Sequence, residues 1–198
     1  MTSSFYLATK NLNKVLEIRN ILRDKDILVK PAPSDISFPE ETGKTFEKNA
    51  LLKAHYLQKF LGREFVVGED SGLVVEKLGG LPGVLSARFA GEPSDDRRNI
   101  EKLLDLLAPY KDIKERKAKF VTVAALIFNG KEEVFKGEVD GFITFAPRGS
   151  NGFGYDPVFK IYETDKTFAE LTMEEKNRIS HRASAFRQLA EYLLNKVK

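Results

Sequence analysis

Residues 65–75, Phe-Val-Val-Gly-Glu-Asp-Ser-Gly-Leu-Val-Val, constrain the fold more than any other stretch of this chain. The apolar runs Phe65–Val67 and Leu73–Val75 are β-branched or aromatic and bounded by glycine, so they read as two short buried strands. Between them stand two adjacent carboxylates and a hydroxyl, Gly68-Glu69-Asp70-Ser71-Gly72. Ionised carboxylates at the edge of an apolar core are costly unless a cation pairs with them. A divalent metal and a lysine both meet that need. The flanking glycines let the backbone turn tightly and approach a ligand closely. Taken alone, the five residues also read as an ordinary acidic turn.

Composition narrows the chemistry. The 198 residues suffice for one sizeable core, and no repeat, linker or low-complexity stretch divides them, so one chain-length domain (1–198) is expected. Lysine and arginine number 32 against 29 acids, a near balance that argues against nucleic acid as partner. With no cysteine, disulfides and thiolate sites are excluded, and only two histidines argue against a multi-histidine zinc site. Any metal would be a hard, oxygen-liganded ion such as Mg²⁺. No apolar run approaches the ~20 residues that span a membrane. Met-Thr-Ser-Ser-Phe at the start has no basic-then-apolar pattern, so no signal peptide and a cytoplasmic location are expected.

Along the chain, Phe5-Tyr6-Leu7-Ala8 reads as a first strand, and Val15, Ile18, Ile21 and Leu22 recur at helical spacing from about residue 12 to 24. The turn between them, Thr9-Lys10-Asn11-Leu12-Asn13-Lys14, offers free N–H groups at a helix start, side-chain donors and a cation. Either an anion site or a simple helix cap by Thr9 or Asn11 accounts for it. Ile27–Val29 reads as a second strand, followed by a loop through Pro31, Pro33 and Pro39 that ends in Glu40-Glu41-Thr42-Gly43. A second helix, Thr45 to Leu61, carries Phe46, Ala50, Leu57 and Phe60 on one stripe, with Lys53 in that stripe. Such a lysine either snorkels to water or faces an anion.

Ser94 is expected to cap a helix opening on Asp95 and Asp96, with Ile100, Leu103, Leu104 and Leu107 inward. Phe120–Phe128 reads as a strand, Asn129-Gly130 as a type I′ turn, and Val134–Val139 with Phe142–Phe145 as the return, bulged near Gly137 or Gly141. The glycine-rich run Gly152-Phe153-Gly154-Tyr155-Asp156-Pro157 suits a loop against a flat ligand, with Phe153 or Tyr155 stacking on it. Thr172 and Glu175 form a capping box over a short helix, Met173 to Arg178. Ser180-His181-Arg182 leads into a last helix whose core face is Phe186, Leu189, Ala190, Leu193 and Val197. Lys176, His181 and Arg182 are donors gathered before that helix.

These features form three groups. Acids (Glu41, Glu69, Asp70) would hold Mg²⁺ and activate water. Lys14, Lys53 and the Thr9–Lys14 turn would hold a polyphosphate. The glycine/aromatic loop with Lys176, His181 and Arg182 would hold a planar base. No serine–histidine–acid arrangement is suggested, and metal-assisted attack of water on a phosphoryl group fits this inventory best.

Six motifs occur in order: Thr9-x-Asn11-x-x-Lys14, Glu41-Thr42-Gly43-x-Thr45-Phe46-x-x-Asn49-Ala50-x-x-Lys53-Ala54, Glu69-Asp70-Ser71-Gly72-Leu73, Gly79-Gly80-x-Pro82-Gly83-x-x-Ser86-Ala87-Arg88, Gly152-Phe153-Gly154-Tyr155-Asp156-Pro157 and Ser180-His181-Arg182. With them, nearly the whole chain resembles the inosine triphosphate pyrophosphatase family of the Ham1/RdgB type. The resemblance implies a mixed α/β fold, an elongated central twisted mixed sheet flanked by helices, with the nucleotide in a cleft between two lobes, and a homodimer. It implies hydrolysis of the non-standard purine triphosphates ITP, dITP and XTP to monophosphate and pyrophosphate. By that analogy Mg²⁺ sits on Glu41, Glu69 and Asp70, with Asp70 the base for water. The Thr9–Lys14 turn (Thr9, Lys10, Asn11, Leu12, Asn13, Lys14), Lys53 and Ser71 contact the triphosphate. Phe153 stacks on the base within the loop that includes Gly154 and Tyr155, and Asp156, Lys176, His181 and Arg182 read the base edge. A related pyrophosphatase for other modified nucleotides, a non-catalytic nucleotide sensor and a nucleic-acid-binding domain are the competing readings.

Overall fold

The acidic stretch is one uninterrupted strand, not two strands joined by a turn. In the computed structural model, which describes residues 3–62 and 64–196, β3 runs from Val66 through Val75. The expected turn fails because both carboxylates find cations within the fold, so neither must be turned out toward water. Gly68 serves a different end from turning. A Cβ there would lie 1.9 Å from the Ala50 carbonyl oxygen, so glycine lets a helix lie directly on the strand. Because side chains alternate along a strand, Glu69 and Asp70 point to opposite faces of the sheet.

The six-stranded sheet has the order β2-β1-β3-β4-β5-β6. Strand β1 (Ser3–Ala8) pairs in parallel with β2 (Ile27–Pro31), Phe5 opposite Val29, and with β3, Leu7 opposite Val67. Helices α1 (Leu12–Ile21) and α2 (Phe46–Leu61) make the crossovers that parallel pairing demands. Strand β4 (Lys117–Phe128) turns at Asn129 and Gly130, both at positive φ as a type I′ turn requires, into β5 (Lys131–Ile143). Strand β6 (Phe159–Ile161) pairs antiparallel to β5. The fold is therefore mixed α/β, and its sheet is open. Contacts divide the chain into two compact units, the first comprising Met1–Asp70, Thr122–Gly137 and Ser180–Lys198, the second Ser71–Val121 and Glu138–Ile179.

In the first unit, helices cover both sheet faces. Phe5, Leu7 and Val67 pack with Val15 and Ile18 of α1 and with Phe186 and Leu189 of α5 (His181–Lys196). Ala54 and Leu57 of α2 pack with Ala8, Val66 and Ile127. Helix α1 stops at Ile21, short of the expected residue 24, with Leu22 as its C-cap. Thr45 caps α2, and Gly62 at φ 65° ends it. Phe60, expected on the buried stripe, is 59% exposed. Val197, expected on the core face of the last helix, lies outside the described residues. Gly137 belongs to an unbroken β5, where a Cβ would lie 2.0 Å from the His181 carbonyl oxygen, so its glycine answers to packing.

The second unit has one core, in which Leu73, Phe120, Ile143, Phe159 and Phe168 surround Leu103 and Leu107 at the end of α3 (Asp96–Leu106). Asp95, not Ser94, caps α3, accepting from the Arg98 N–H at 2.9 Å, while Ser94 donates to the Ala87 carbonyl. The carboxylate outcompetes the hydroxyl because its charge also suits the helix dipole. Gly141, the other expected bulge, packs its Cα against the Lys160 carbonyl. The capping box forms as expected at α4 (Met173–Ile179): the Thr172 N–H donates to Glu175 at 2.8 Å and the Glu175 N–H to the Thr172 hydroxyl at 3.2 Å.

Candidate active site

On the α2 face of β3, Asp70 is held from two sides. The Asn49 amide donates to Asp70 Oδ2 at 3.0 Å, and Lys53 Nζ stands 3.7 Å from Oδ1. Asn49 and Lys53 come from one turn of α2, spaced i and i+4 so that both project onto the strand. Lys53 also bonds Glu41 Oε1 at 2.5 Å. The lysine that sequence periodicity places in an apolar stripe is thus buried against carboxylates rather than reaching for water. Burial pushes the Asp70 carboxyl above the ordinary aspartate range, outweighing the pull of Lys53 and Lys14. Burial alone would lower Lys53, but Asp70, Glu41 and Glu69 together hold its ammonium above the usual value.

On the opposite face, Glu69 is fully buried. Arg182 of α5 forks between Glu69 Oε1, at 3.1 Å, and Glu17 of α1. Lys14 Nζ approaches Glu69 Oε2 to 2.6 Å, an ion pair rather than an aligned hydrogen bond. Burial would raise Glu69, but Lys14 and Arg182 hold it far below the ordinary glutamate range. Glu69 therefore does not share a face with Asp70, as the expectation of a common metal site requires. Among the described residues, no three acidic or histidine side chains gather into a metal cluster. Glu41 and Asp70 do meet around one cationic position, that of Lys53 Nζ, and both offer hard oxygen donors.

The Thr9–Lys14 turn is a capped helix start. Asn11 accepts from the Lys14 N–H at 3.2 Å, and the Thr9 hydroxyl accepts from the Asn11 N–H at 3.1 Å. Lys10 points away, donating to the Pro33 and Ser34 carbonyls at 3.2 and 2.8 Å. Leu12 and Asn13 are exposed at the open helix end. Arg182 and His181, expected beside Lys176, are both buried at the start of α5, Arg182 among the acids just described.

In the second unit, the Gly152–Pro157 loop is tied down throughout. Lys176 Nζ bonds Asp156 Oδ2 at 2.5 Å, and the Phe153 N–H donates to the same oxygen at 3.0 Å. The ammonium lies 5.2 Å from the Phe153 ring centre and 5.4 Å from that of Phe168. Gly154 donates its N–H to Asp96 at 2.7 Å. Gly152 carries a positive φ, and a Cβ there would strike Asp156 at 2.0 Å. Tyr155 corrects the expectation of an exposed stacking ring. It is buried in the core and its hydroxyl donates to the Ser86 carbonyl at 2.8 Å. Phe153, half-buried, is the aromatic left with an accessible surface. Ser71 opens this unit, half-buried on β3. A groove of about 970 Å³ in this unit, lined by Val74, Lys117, Lys119, Glu138, Asp140 and Tyr162 among others, includes none of the expected site residues.

The residue that the sequence reading missed is Asn49, quoted only as part of a motif. Its signal was helical spacing, since it precedes Lys53 by one turn and is polar on a face otherwise headed for the core.

Comparisons with known proteins place the chain in a family. The pattern of the Ham1 family matches residues 5–192. A dITP/XTP pyrophosphatase of Thermoanaerobacter pseudethanolicus is 45% identical over 197 residues, covering 97% of each chain. One of Bacillus subtilis is 46% identical over 191 residues, 94% of this chain and 95% of the other. The structure of a HAM1 protein from Coxiella burnetii superposes with a TM-score of 0.88 at 38% identity, covering 98% of this chain and 99% of that one. The chain belongs to the Ham1 family.

Proposed function

We propose that this protein hydrolyses dITP, XTP and ITP to the nucleoside monophosphate and pyrophosphate, clearing non-standard purines from the nucleotide pool. The observation that carries the reading is the buried Asp70 carboxylate, oriented by Asn49 and faced by Lys53, in a chain whose relatives are named dITP/XTP pyrophosphatases. A base that must take a proton from water works best with an affinity above that of a free aspartate, which burial supplies. Asn49 engages Oδ2 and Lys53 stands 3.7 Å from Oδ1, which together fix the plane of the carboxylate.

The N–H groups of Leu12 and Asn13 with Thr9, Asn11 and Lys14 would receive the triphosphate, assisted by Lys53 and Ser71. Lys10 would support this turn through its bonds to Pro33 and Ser34. Mg²⁺ would be held by Glu41 and Asp70, and when bound it would neutralise phosphate charge and acidify water. Glu69 would instead keep Lys14 and Arg182 in place. Phe153 would stack on the base, beside Gly154, and Asp156, Lys176, His181 and Arg182 would supply edge contacts, with Tyr155 anchoring the loop from below. Hypoxanthine and xanthine present an oxygen at position 6 where adenine presents an amino group. Donors such as Lys176 reward the former, and each unpaired buried donor costs about 1–3 kcal/mol against the latter. The near-balanced charge argues against nucleic acid as ligand, and no helix among the described residues is long and apolar enough to cross a membrane. A cytoplasmic homodimer completes the proposal, its size open to light scattering.

The test is product release from dITP, XTP, ITP, GTP and ATP, with and without Mg²⁺. Mg²⁺-dependent pyrophosphate from the first three is expected, with ATP nearly inert for want of the 6-oxo group and GTP rejected at its 2-amino group, together with loss of the activity in a folded D70N variant. Release of orthophosphate would mean attack at the γ-phosphate and would refute the reaction. Tight binding with no turnover would make the protein a sensor.

A further inference from the structure

We infer that Asn49 is a positioning residue that clamps the Glu41 loop to the Asp70 carboxylate. The inference rests on the reaction proposed above. Asn49 is fully buried, and its two amide atoms serve different segments of the first unit. Oδ1 accepts from the Gly43 N–H at 2.8 Å, and Nδ2 donates to Asp70 Oδ2 at 3.0 Å. A backbone N–H can only donate, so it dictates which end of the amide faces the loop. The other end must then present its N–H to the carboxylate. The loop is shaped for this contact. A Cβ on Gly43 would stand 2.4 Å from Asn49 Oδ1 and 2.9 Å from Lys48 Cβ, although Gly43 has no positive φ to account for its lack of a side chain. Two residues upstream, Glu41 meets Lys53, and Lys53 faces the other oxygen of Asp70. One side chain thus occupies Oδ2, leaves Oδ1 toward Lys53, and fixes the distance between the two acids.

Few side chains could replace it. Aspartate accepts from Gly43 equally well but sets a second anion against Asp70. Alanine removes the acceptor of the Gly43 N–H and the amide donor to Oδ2. Glutamine is a methylene too long for a position packed on all sides.

The experiment compares wild type with N49A and N49D by steady-state kinetics on dITP, thermal melting, and hydrogen exchange of the segment 40–45. We expect both variants to fold, with kcat reduced about 10–100-fold in N49A, more in N49D, and KM for dITP within about threefold of wild type. Exchange in 40–45 should become fast in N49A while the rest of the first unit keeps its protection. Wild-type kcat per folded molecule in N49A would overturn the inference. So would a loss of kcat that tracks the folded fraction, or protection at 40–45 that does not change. G43A, which crowds the amide without touching it chemically, should reproduce the kinetic split, and a wild-type kcat in a folded G43A would also count against the clamp. If the wild-type chain itself leaves dITP intact, the proposed reaction fails, and exchange at 40–45 still decides the clamp.

Discussion

Arg182 is 2% exposed and meets two carboxylates, Glu17 and Glu69, so three charges leave water together. Its planar guanidinium presents five donors in a fixed fork, so it meets both acids in a set geometry that a flexible ammonium does not reproduce. Removing Arg182 takes a buried cation from Glu17 and leaves Glu69 with Lys14 alone of the two cations that hold it. We expect R182A to lose about 3–5 kcal/mol in denaturant unfolding, and R182K to recover only part of that. Tyr155 gives a pH signature of the second unit. Burial holds its phenol above the ordinary value near 10, with Asp96 adding to the effect. A raised folded value means the unfolded chain ionises first, so the stabilisation is complete below pH 10 and is lost as pH rises above it. Y155F should remove about 1 kcal/mol at neutral pH and flatten the alkaline decline, as pH-dependent denaturation would show. Sequence patterns revealed the chemistry of these residues but not their partners. In sequence Tyr155 reads as a ring facing a ligand because it sits in a glycine-rich loop, and it is held in the core by the protein itself. Arg182 reads as a donor gathered before the last helix, and the fold adds Glu17 and Glu69 as its partners.

Helix α2 and strand β3 form the element pair on which the site depends, and their separation is set at Gly68. With the Ala50 carbonyl oxygen 1.9 Å from where a Cβ would stand, G68A must push helix from strand. A cost of about 2–3 kcal/mol in unfolding free energy is expected, together with displacement of Asn49 and Lys53 from Asp70. Calorimetry checks the first and kcat on dITP the second. This contact also explains why the acidic stretch was misread. Glycine on both sides of two acids is a turn signal as long as the neighbours are unknown. Once a helix backbone lies against Gly68, and lysine and arginine meet the acids, an extended strand is the lower-energy state. The Asn129-Gly130 turn and the Thr172–Glu175 box depend on residues close in sequence, and both were legible without the fold.

Across the molecule, the first unit buries sheet between helices on both faces, and the second gathers its aromatics into one core. The order of motifs identified the family, and that resemblance implied the mixed α/β sheet; hydrophobic period and turn chemistry, being local properties, displayed only the individual strands and helices. Sequence by itself also determined which groups are available: hard oxygen donors without thiols, two histidines, and lysines spaced to meet acids. Tertiary structure alone decided how those groups divide. Strand alternation sends Glu69 to α1 and α5 and Asp70 to α2, and the pairing of charges across more than a hundred residues gives one carboxylate a structural task and leaves the other raised in proton affinity. The physical reason is that a charge's cost depends on its burial and its partners, and both are set by segments remote in the chain.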